Sequence, residues 1–275
     1  MAKKEKLILF IHGFLGGDDT WGNFENLLSK HEKEVFTSYD VEFFDYPTSV
    51  LRSPTIQVLA DGLRTEIEEV YIDYNEIVLV CHSMGGLVAK QYLINEIKIH
   101  KPESLKVKKV IYYATPHLGT QLANYVKIVP YEHKQIKQMA RDSDLMVSIN
   151  TDDAVLKVDD YVCARYIIAE NDKVVERTSA QAFYANSDSR TLLGFGHIDC
   201  CKPTNDMEDK RYLVLKNFIL MDCSNKKNIS GESNIEQNHS GNGDNVVHKT
   251  VINKSVSVGG LNSGTIITGD NNTVS

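Results

Sequence analysis

The segment at residues 77–86 restricts the possible folds of this chain more than any other. Five apolar residues at 77–81 lead directly into the sequence His-Ser-Met-Gly-Gly at 82–86. This order predicts a buried strand, a sharp turn and a helix, with Ser83 at the turn. Such a turn exposes the serine hydroxyl and leaves the next backbone N–H able to bind an oxyanion. The segment therefore predicts a nucleophilic serine at the end of a buried strand.

The glycines after Ser83 fit this turn, because a β-carbon on Gly85 or Gly86 would collide with a neighbouring strand or with the new helix. The usual pattern is G-x-S-x-G, but Cys81 stands in place of the first glycine. Since cysteine lacks glycine's backbone freedom, we expect a turn of slightly different shape. A Ser-Gly turn after a strand is also ordinary in loops, which is the alternative interpretation. The helical spacing of the next apolar residues favours a strand, turn and helix with a nucleophilic serine instead. These residues are Leu87, Val88, Tyr92 and Leu93.

Length and charge exclude several classes of protein. With 275 residues and 42% apolar content, the chain can form one large α/β domain plus an appendage. A net charge of −7 with no basic stripe argues against a nucleic-acid or anionic-membrane surface. The apolar run at 7–11 is too short for a secretion signal, and no run approaches the ~20 residues of a membrane span. We therefore expect a cytoplasmic protein with no transmembrane segment.

The cysteines, at 81, 163, 200, 201 and 223, are odd in number and show no C-x-x-C spacing. We therefore expect reduced thiols and neither a disulfide framework nor a zinc site. Cys200 and Cys201 closely follow His197 and could suggest metal ligation, but packing is favoured because no second ligand pair is visible.

Composition divides the chain near residue 223. Residues 224–275 contain ten Asn and seven Gly but no aromatic residue. We predict a catalytic domain at 1–223 and a separate tail at 224–275. In the first domain strand-like and helix-like stretches alternate, which predicts a mostly parallel sheet with helices on both faces. The predicted strands lie near 7–11, 41–46, 77–81, 107–114, 161–169 and 190–194, and the predicted helices near 56–70, 84–97 and 206–221.

The tail contains β-branched clusters separated by Gly and Asn, and the sequence Gly-Asp-Asn occurs at 243–245 and 269–271. Short strands of this kind suggest a small β-solenoid or a strand-donating tail that pairs with another copy or with a partner protein. A disordered Asn-rich tail is the alternative, because no aromatic residue is present to be buried. A calcium-binding repeat is a less well supported interpretation, since the segment contains only two Asp.

A nucleophilic serine needs a base and an acid that orients the base, and in this architecture the order along the chain is Ser, acid, His. His197 is the candidate base, because it follows the last predicted strand in a glycine-flanked loop. Asp172 is the candidate acid in the turn after the strand at 161–169, and Glu170 is the runner-up. Other carboxylates nearby are interpreted as surface or capping groups. These are Asp159, Asp160 and Asp199.

The sequence His-Gly-Phe-Leu-Gly-Gly at 12–17 follows the first predicted strand and is typical of a loop that completes an oxyanion hole. The backbone N–H groups of Phe14 and Met84 are the candidate donors. Four further residues are candidates for the substrate pocket, although a structural role for the last is at least as plausible. They are His12, Gly13, His82 and His117. Neither phosphate-binding glycine motif is present, which argues against a nucleotide site.

Together these motifs resemble the serine esterase/lipase branch of the α/β-hydrolases, over about residues 5–220. They are similar to those of GPI inositol-deacylase-like enzymes and of hydrolase domains fused to bacterial sensor proteins. The resemblance implies hydrolysis of a carboxylic ester, often on a lipid. The tail more loosely resembles Gly/Asn-rich β repeats of bacterial antiviral effectors.

We therefore predict an α/β-hydrolase-fold esterase or lipase in which Ser83, His197 and Asp172 form a catalytic triad without metal or organic cofactor. Residues 120–160 are a candidate cap, whose apolar side chains would face an acyl chain or pack on the core. These side chains are Leu122, Ala123, Val126 and Val129. The rival hypothesis is an assembly protein on a hydrolase scaffold, such as a bacterial defence effector that oligomerises through 224–275. Thioesterase, acyltransferase and peptidase chemistry remain open.

Overall fold

The computed structural model of the protein describes residues 5–31, 37–47, 53–121, 133–181 and 188–223. Within these residues, six strands form one sheet in which all neighbouring pairs are parallel. The strands are β1 (Lys6–Ile11), β2 (Tyr39–Phe44), β3 (Glu76–His82), β4 (Val107–Tyr113), β5 (Cys163–Ala169) and β6 (Asp188–Leu192), in the order β2-β1-β3-β4-β5-β6. All their carboxyl ends therefore lie at one edge of the sheet.

Helices cover both faces of this sheet. They are α1 (Phe24–Asn26), α2 (Ile56–Thr65), α3 (Met84–Ile99), α4 (Lys134–Gln138), α5 (Asp144–Leu156), α6 (Arg177–Gln181) and α7 (Lys210–Leu220). Alternate residues of β1 enter two different clusters, so that Leu7 packs on the side of α2 and α3 while Ile8 packs on the side of α1 and α7. A strand buried on both faces needs a continuous apolar sequence, which explains the uninterrupted runs in β1 and β3.

The structure confirms the predicted parallel sheet with helices on both faces, and each predicted strand lies within a few residues of an observed one. The helix predicted at 56–70 is α2 followed by a π-helical segment, Glu66–Val70. The helix predicted at 206–221 begins later, at Lys210, because the Asp209 carboxylate accepts the backbone N–H of Arg211 and so caps α7.

The prediction that all cysteines are reduced thiols is wrong for one pair, because Cys163 and Cys223 form a disulfide. Cys163 begins β5 and Cys223 follows α7, and their Cα atoms are 6.1 Å apart although 60 residues separate them in sequence. Local spacing could not reveal this pair, since it is the packing of α7 on the sheet that brings the two together. The remaining cysteines, Cys81, Cys200 and Cys201, are free and buried.

Two predicted features fall outside the described residues. The first is the tail at 224–275, so its β repeats and the boundary at 223 stay predictions. The second is the set Leu122, Ala123, Val126 and Val129 in the candidate cap. The described part of 120–160 contains α4 and α5, which bury Ile136 and Ile149 in the core next to α3. Among the described helices, none has the length and hydropathy that crossing a bilayer requires.

Candidate active site

The turn between β3 and α3 places Ser83 in an uncommon backbone conformation, with φ 50° and ψ −123°. Positive φ is costly for a residue with a β-carbon, so this conformation must be held by the surrounding structure. The Ser83 N–H donates to the carbonyl of Tyr113 at 2.9 Å, which anchors the turn to β4. Cys81 lies inside β3, so the turn forms without the glycine that usually precedes it.

Close approach of α3 to β1 requires Gly85. A β-carbon there would lie 2.3 Å from the carbonyl oxygens of both Ile11 and His12, which are backbone atoms that cannot move aside. A β-carbon on Gly86 would lie 2.0 Å from Oγ1 of Thr115. The expectation that both glycines avoid collisions is therefore confirmed, and the reason is contact with strand ends on either side of the turn.

Ser83, His197 and Asp172 form one continuous chain of hydrogen bonds. Nε2 of His197 lies 3.0 Å from Oγ of Ser83, and Nδ1 of His197 lies 2.8 Å from Oδ2 of Asp172. The other oxygen of Asp172, Oδ1, accepts the backbone N–H groups of Val174 and Val175, each at 2.8 Å. The Asp172 side chain is 4% exposed and that of His197 12% exposed. The carboxylate is thus fixed by its own turn and points one oxygen at the imidazole.

Neighbouring carboxylates hold the loop that carries His197. Glu170, the runner-up acid, accepts the N–H of Gly194 at 2.9 Å, and Asp199 accepts the N–H of Gly196 at 3.1 Å. The structure therefore places Asp172 on the imidazole and Glu170 on the backbone before it. Asp159 lies before β5, where it accepts a hydrogen bond from the hydroxyl of Tyr166 at 2.7 Å.

The loop after β1 crosses directly over the serine. A β-carbon on Gly13 would lie 2.9 Å from Cβ of Ser83 and 3.1 Å from the carbonyl oxygen of His82, so only glycine fits there. Phe14 follows, and its ring packs on His133 with centroids 4.8 Å apart. Met84 is the first residue of α3, where a backbone N–H has no acceptor within the helix. Both candidate oxyanion donors thus belong to segments that border Ser83.

Sequence reasoning missed Tyr46, which supports this loop. Its hydroxyl donates to the carbonyl of His12, and the two rings stack with centroids 4.1 Å apart. Burial raises the pKa of Tyr46 far above its usual value, so the phenol stays protonated and can donate. The only sequence signal was its position just after β2, since residues after neighbouring parallel strands meet at the same edge.

His82, a candidate pocket residue, contacts the main chain of the candidate base. Its Nε2 lies 2.8 Å from the carbonyl oxygen of His197, and the two imidazole centroids are 5.0 Å apart. Cys200 donates to the same carbonyl through Sγ at 3.2 Å. The contacts of His82 thus join the end of β3 to the loop of His197.

His117 packs its ring edge-on against Tyr112 and Tyr166, with centroids 4.7 Å and 4.9 Å apart. Burial, together with the nearby charge of Lys90, holds the pKa of His117 well below its usual range, so its imidazole is neutral. Lys90 itself pairs with Asp153 at 2.9 Å and thereby ties α3 to α5. These contacts fit the structural role considered for His117, and its place in a substrate pocket stays a prediction.

Two groups of side chains in the described part of the chain have the composition of a metal site. One is Glu68, Glu96 and His100, of which Glu96 is buried and the other two are exposed, but Arg64 pairs with both glutamates, at 2.9 Å and 3.3 Å. A cation there would have to compete with the guanidinium. The other group is His82, Cys200 and Cys201, which is buried behind the loop of His197.

Comparisons with known proteins agree with this fold. A family model described as "Domain of unknown function (DUF7379)" matches residues 1–131. The chain is similar to Protein SERAC1 of Bos taurus, with 25% identity over 179 residues, covering 53% of this chain and 27% of that protein. The chain therefore spans about a quarter of the length of the curated relatives it matches.

Two solved structures are similar over most of the chain. Phospholipase PlaB from Legionella pneumophila has a TM-score of 0.65 and 14% identity, over 78% of this chain and 59% of that one. Lipase BlEst2 from Bacillus licheniformis has a TM-score of 0.56 and 18% identity, over 74% of this chain and 88% of that one. With the parallel sheet and the turn at Ser83, these similarities establish the α/β-hydrolase fold.

Proposed function

We propose that this protein is a serine hydrolase that cleaves carboxylic esters through a triad of Ser83, His197 and Asp172. The hydrogen-bonded chain between these side chains carries the proposal, because it has the order and the distances that an activated serine needs. The position of Ser83 on a turn with positive φ, next to the start of α3, supports the same assignment.

In the proposed first step, Oγ of Ser83 attacks the ester carbonyl while Nε2 of His197 takes the hydroxyl proton. For this, His197 must carry its resting proton on Nδ1, where it donates to Asp172. The negative charge that develops on the carbonyl oxygen is stabilised by the N–H groups of Phe14 and Met84. His197 then returns the proton to the departing alcohol, leaving an acyl group on Ser83.

In the second step, water attacks the acyl-enzyme with His197 again acting as the base, which releases the acid and restores Ser83. Asp172 keeps its charge throughout, because it stabilises the imidazolium and does not take the proton. The backbone N–H groups of Val174 and Val175, which Oδ1 accepts, hold the carboxylate in place. The reaction so described needs no metal and no organic cofactor.

We assign an apolar acyl group, such as that of a lipid ester, to the substrate. Three large apolar side chains are exposed on the loops that carry Phe14 and His197: Leu15 is 44% exposed, Leu193 69% and Ile198 58%. Apolar side chains around a reactive serine favour an acyl chain over a polar substrate. The phospholipase among the structural neighbours is consistent with this class of substrate.

A fluorophosphonate probe tests the proposed chemistry directly, because only an activated serine reacts with it. We expect stoichiometric labelling of Ser83 in the wild-type protein and none in Ser83→Ala, with the modified residue identified by peptide mass spectrometry. Absence of labelling in folded wild-type protein would favour the rival hypothesis of an assembly protein on an inactive scaffold.

Substrate class is tested by kcat/KM on esters of increasing acyl length. We expect Leu193→Ser with Ile198→Ser to reduce kcat/KM for long acyl chains while turnover of a two-carbon acyl ester stays within about twofold, because both side chains are exposed and neither belongs to the triad. An equal loss on short and long esters would reject the acyl-binding role.

The assembly role of residues 224–275 stays a separate prediction. It is tested by light scattering on a chain that ends at Ser224, which should hydrolyse a small ester at the full-length rate but form smaller particles than the full-length protein. If both chains are monomers, the assembly role is rejected.

A further inference from the structure

His82, Cys200 and Cys201 bring three potential ligand atoms together behind the loop of His197. Their imidazole nitrogen and two sulfur atoms all lie within 4.8 Å of one another, and all three residues are buried. His82 ends β3, whereas the two cysteines form one turn of 3-10 helix, Asp199–Cys201, more than 100 residues later in the chain. The fold thus supplies the third ligand that the sequence around the cysteines lacked.

The donor set matches a cation that prefers sulfur and nitrogen. Zinc takes thiolate sulfur at about 2.3 Å and imidazole nitrogen at about 2.0–2.1 Å in tetrahedral geometry, which places donors about 3.5–3.8 Å apart. Contraction by roughly 1 Å would therefore convert the present arrangement, in which donors lie within 4.8 Å, into three sides of such a site. Calcium and magnesium require oxygen ligands and do not fit.

Charge favours the same class of cation. Two thiolates balance the charge of a divalent cation, so the complex adds no net charge to a buried region, where an unbalanced charge would be costly. Binding requires both sulfur atoms as thiolates and a neutral imidazole, so it releases protons. Without a cation, the thiols donate to backbone carbonyls, Cys201 to Ile198 at 3.3 Å and Cys200 to His197 at 3.2 Å, and Cys201 also hydrogen-bonds the His82 side chain.

We propose that His82, Cys200 and Cys201 bind one thiophilic divalent cation of the zinc class, and that this binding inhibits the enzyme. Cys200 is the link between the two sites. A cation that binds the Cys200 sulfur replaces the hydrogen bond from this thiol to the carbonyl of His197 at 3.2 Å. Because His197 lies only three residues before Cys200, contraction of the ligands would disturb the 3.0 Å contact between Nε2 of His197 and Oγ of Ser83.

The inhibitory effect rests on the proposed hydrolase function, whereas cation binding does not. Misplacement of a catalytic group by about 1 Å can cost about a hundredfold in rate. We therefore expect saturating Zn²⁺ to reduce ester turnover by at least tenfold and a chelator to restore it.

The full-length, metal-free protein with its Cys163–Cys223 disulfide intact is titrated with Co²⁺ and then with Zn²⁺. We expect one Co²⁺ per chain, with the absorption of thiolate-to-cobalt charge transfer and of tetrahedral cobalt, and we expect Zn²⁺ to abolish both. Because both cysteines are buried, each addition is followed to equilibrium. Ester turnover is measured on the same samples.

Variants locate the site. The pair Cys200→Ala with Cys201→Ala should lose the cobalt absorption, whereas Cys81→Ala, which removes the other free thiol, should retain it. If circular dichroism shows that the double variant does not fold, His82→Gln tests the site instead. This variant keeps an N–H donor for the His197 carbonyl, and we expect it to weaken cobalt binding at least tenfold.

Failure to see thiolate-bound cobalt in the wild type, or its persistence without both cysteines, would overturn the site. Stoichiometric binding with unchanged turnover would overturn the inhibition. If the metal-free protein hydrolyses no ester, the proposed function fails, and the cobalt absorption still decides whether the cation site exists.

Discussion

The two edges of the sheet differ in how their backbone and side chains are held. At the carboxyl edge, three residues with β-carbons have positive φ in the segments after β1, β3 and β4, namely Leu15, Ser83 and Ala114. The hydrogen-bonded side chains of Ser83, His197 and Asp172 lie at the same edge. Uncommon conformations and buried polar groups that face a reactive atom are therefore concentrated there.

The amino edge is held instead by covalent and ionic contacts. The Cys163–Cys223 disulfide joins the start of β5 to the chain after α7. Lys6 pairs with Glu76 at 2.9 Å across β1 and β3. Nζ of Lys109 donates to carbonyls at the end of α7, including that of Met221 at 2.7 Å. A cavity of about 570 Å³ at this edge is bordered by these same groups.

We infer from this comparison that the proposed reactive groups and the contacts that stabilise the fold lie at opposite edges of the sheet. Backbone strain of about 1–3 kcal/mol per residue at the carboxyl edge is tolerated only if other parts of the molecule keep the fold intact. We therefore expect substitutions at the carboxyl edge to reduce turnover with little change in the free energy of unfolding, and substitutions at the amino edge to do the reverse.

Ser83→Ala should have the largest effect. We expect ester turnover to fall by about 10⁴ to 10⁶, because only binding and the oxyanion donors remain. Alanine has a β-carbon and the same backbone cost at φ 50°, so the free energy of unfolding should change by less than about 0.5 kcal/mol. Kinetics and urea denaturation measure the two quantities. Turnover that survives in the variant would remove Ser83 from the mechanism, and a large loss of stability would contradict the separation of the edges.

Asp172→Asn should come next, with turnover lower by about 10⁴ and little change in KM, because an amide favours the wrong tautomer of His197. Glu170→Gln is the matched control at the same edge. Its side chain accepts a backbone N–H from Gly194 and does not orient the imidazole, so we expect less than about a tenfold loss. If the two variants exchanged their effects, the acid would have to be reassigned to Glu170.

These assignments show which parts of the site local sequence can predict. The turn at Ser83, the candidate acid after β5 and the candidate base after β6 each follow a strand in a recognisable pattern, so local sequence predicted the strands and selected side chains that lie within hydrogen-bond distance of one another. Tyr46 and the Cys163–Cys223 pair were missed because their contacts join segments with no common local pattern. His82 was predicted as a pocket residue, but its proximity to Cys200 and Cys201 was missed for the same reason. Contacts of this kind can be predicted only once the order of the strands in the sheet is known.

Removal of the disulfide tests the amino edge. Cys163→Ser with Cys223→Ser should lower the free energy of unfolding by about 2–4 kcal/mol, because the disulfide closes a loop of 60 residues in the unfolded chain. Ester turnover should stay within about twofold. A reducing agent should destabilise the wild type by a similar amount and leave the double variant unchanged. Equal stability of the two proteins under non-reducing conditions would show that the disulfide contributes nothing.

Lys109→Met should have a smaller effect at the same edge. Loss of the bonds to the carbonyls of Ile219 and Met221 should cost about 1–3 kcal/mol at neutral pH. Burial lowers the pKa of Lys109 below its value in the unfolded chain, so the folded protein releases this proton at a lower pH. The cost of burying the charge is present below the folded pKa and disappears as the pH rises toward the unfolded value of ~10.4.

The difference in unfolding free energy between the wild type and Lys109→Met should therefore grow as the pH rises from neutral toward the unfolded value of ~10.4. Urea denaturation of both proteins across this range measures it, and effects of other titrating groups cancel in the difference. A difference that shrinks with rising pH would mean that the charged form of Lys109 is favoured by the fold.

Tyr46→Phe should have the smallest effect and is the sharpest test of how the carboxyl edge is held. The substitution removes the hydroxyl that donates to the His12 carbonyl but keeps the ring that stacks on His12. If this bond positions the loop that carries Gly13 and Phe14, its loss leaves the oxyanion donors less well placed. We then expect kcat to fall up to about tenfold while KM changes little, because only the transition state bears the oxyanion. Fluorophosphonate labelling of Ser83 should slow by a similar factor, because the phosphonyl oxygen occupies the same hole. A purely structural role for Tyr46 would instead lower the free energy of unfolding and leave kcat and the labelling rate unchanged.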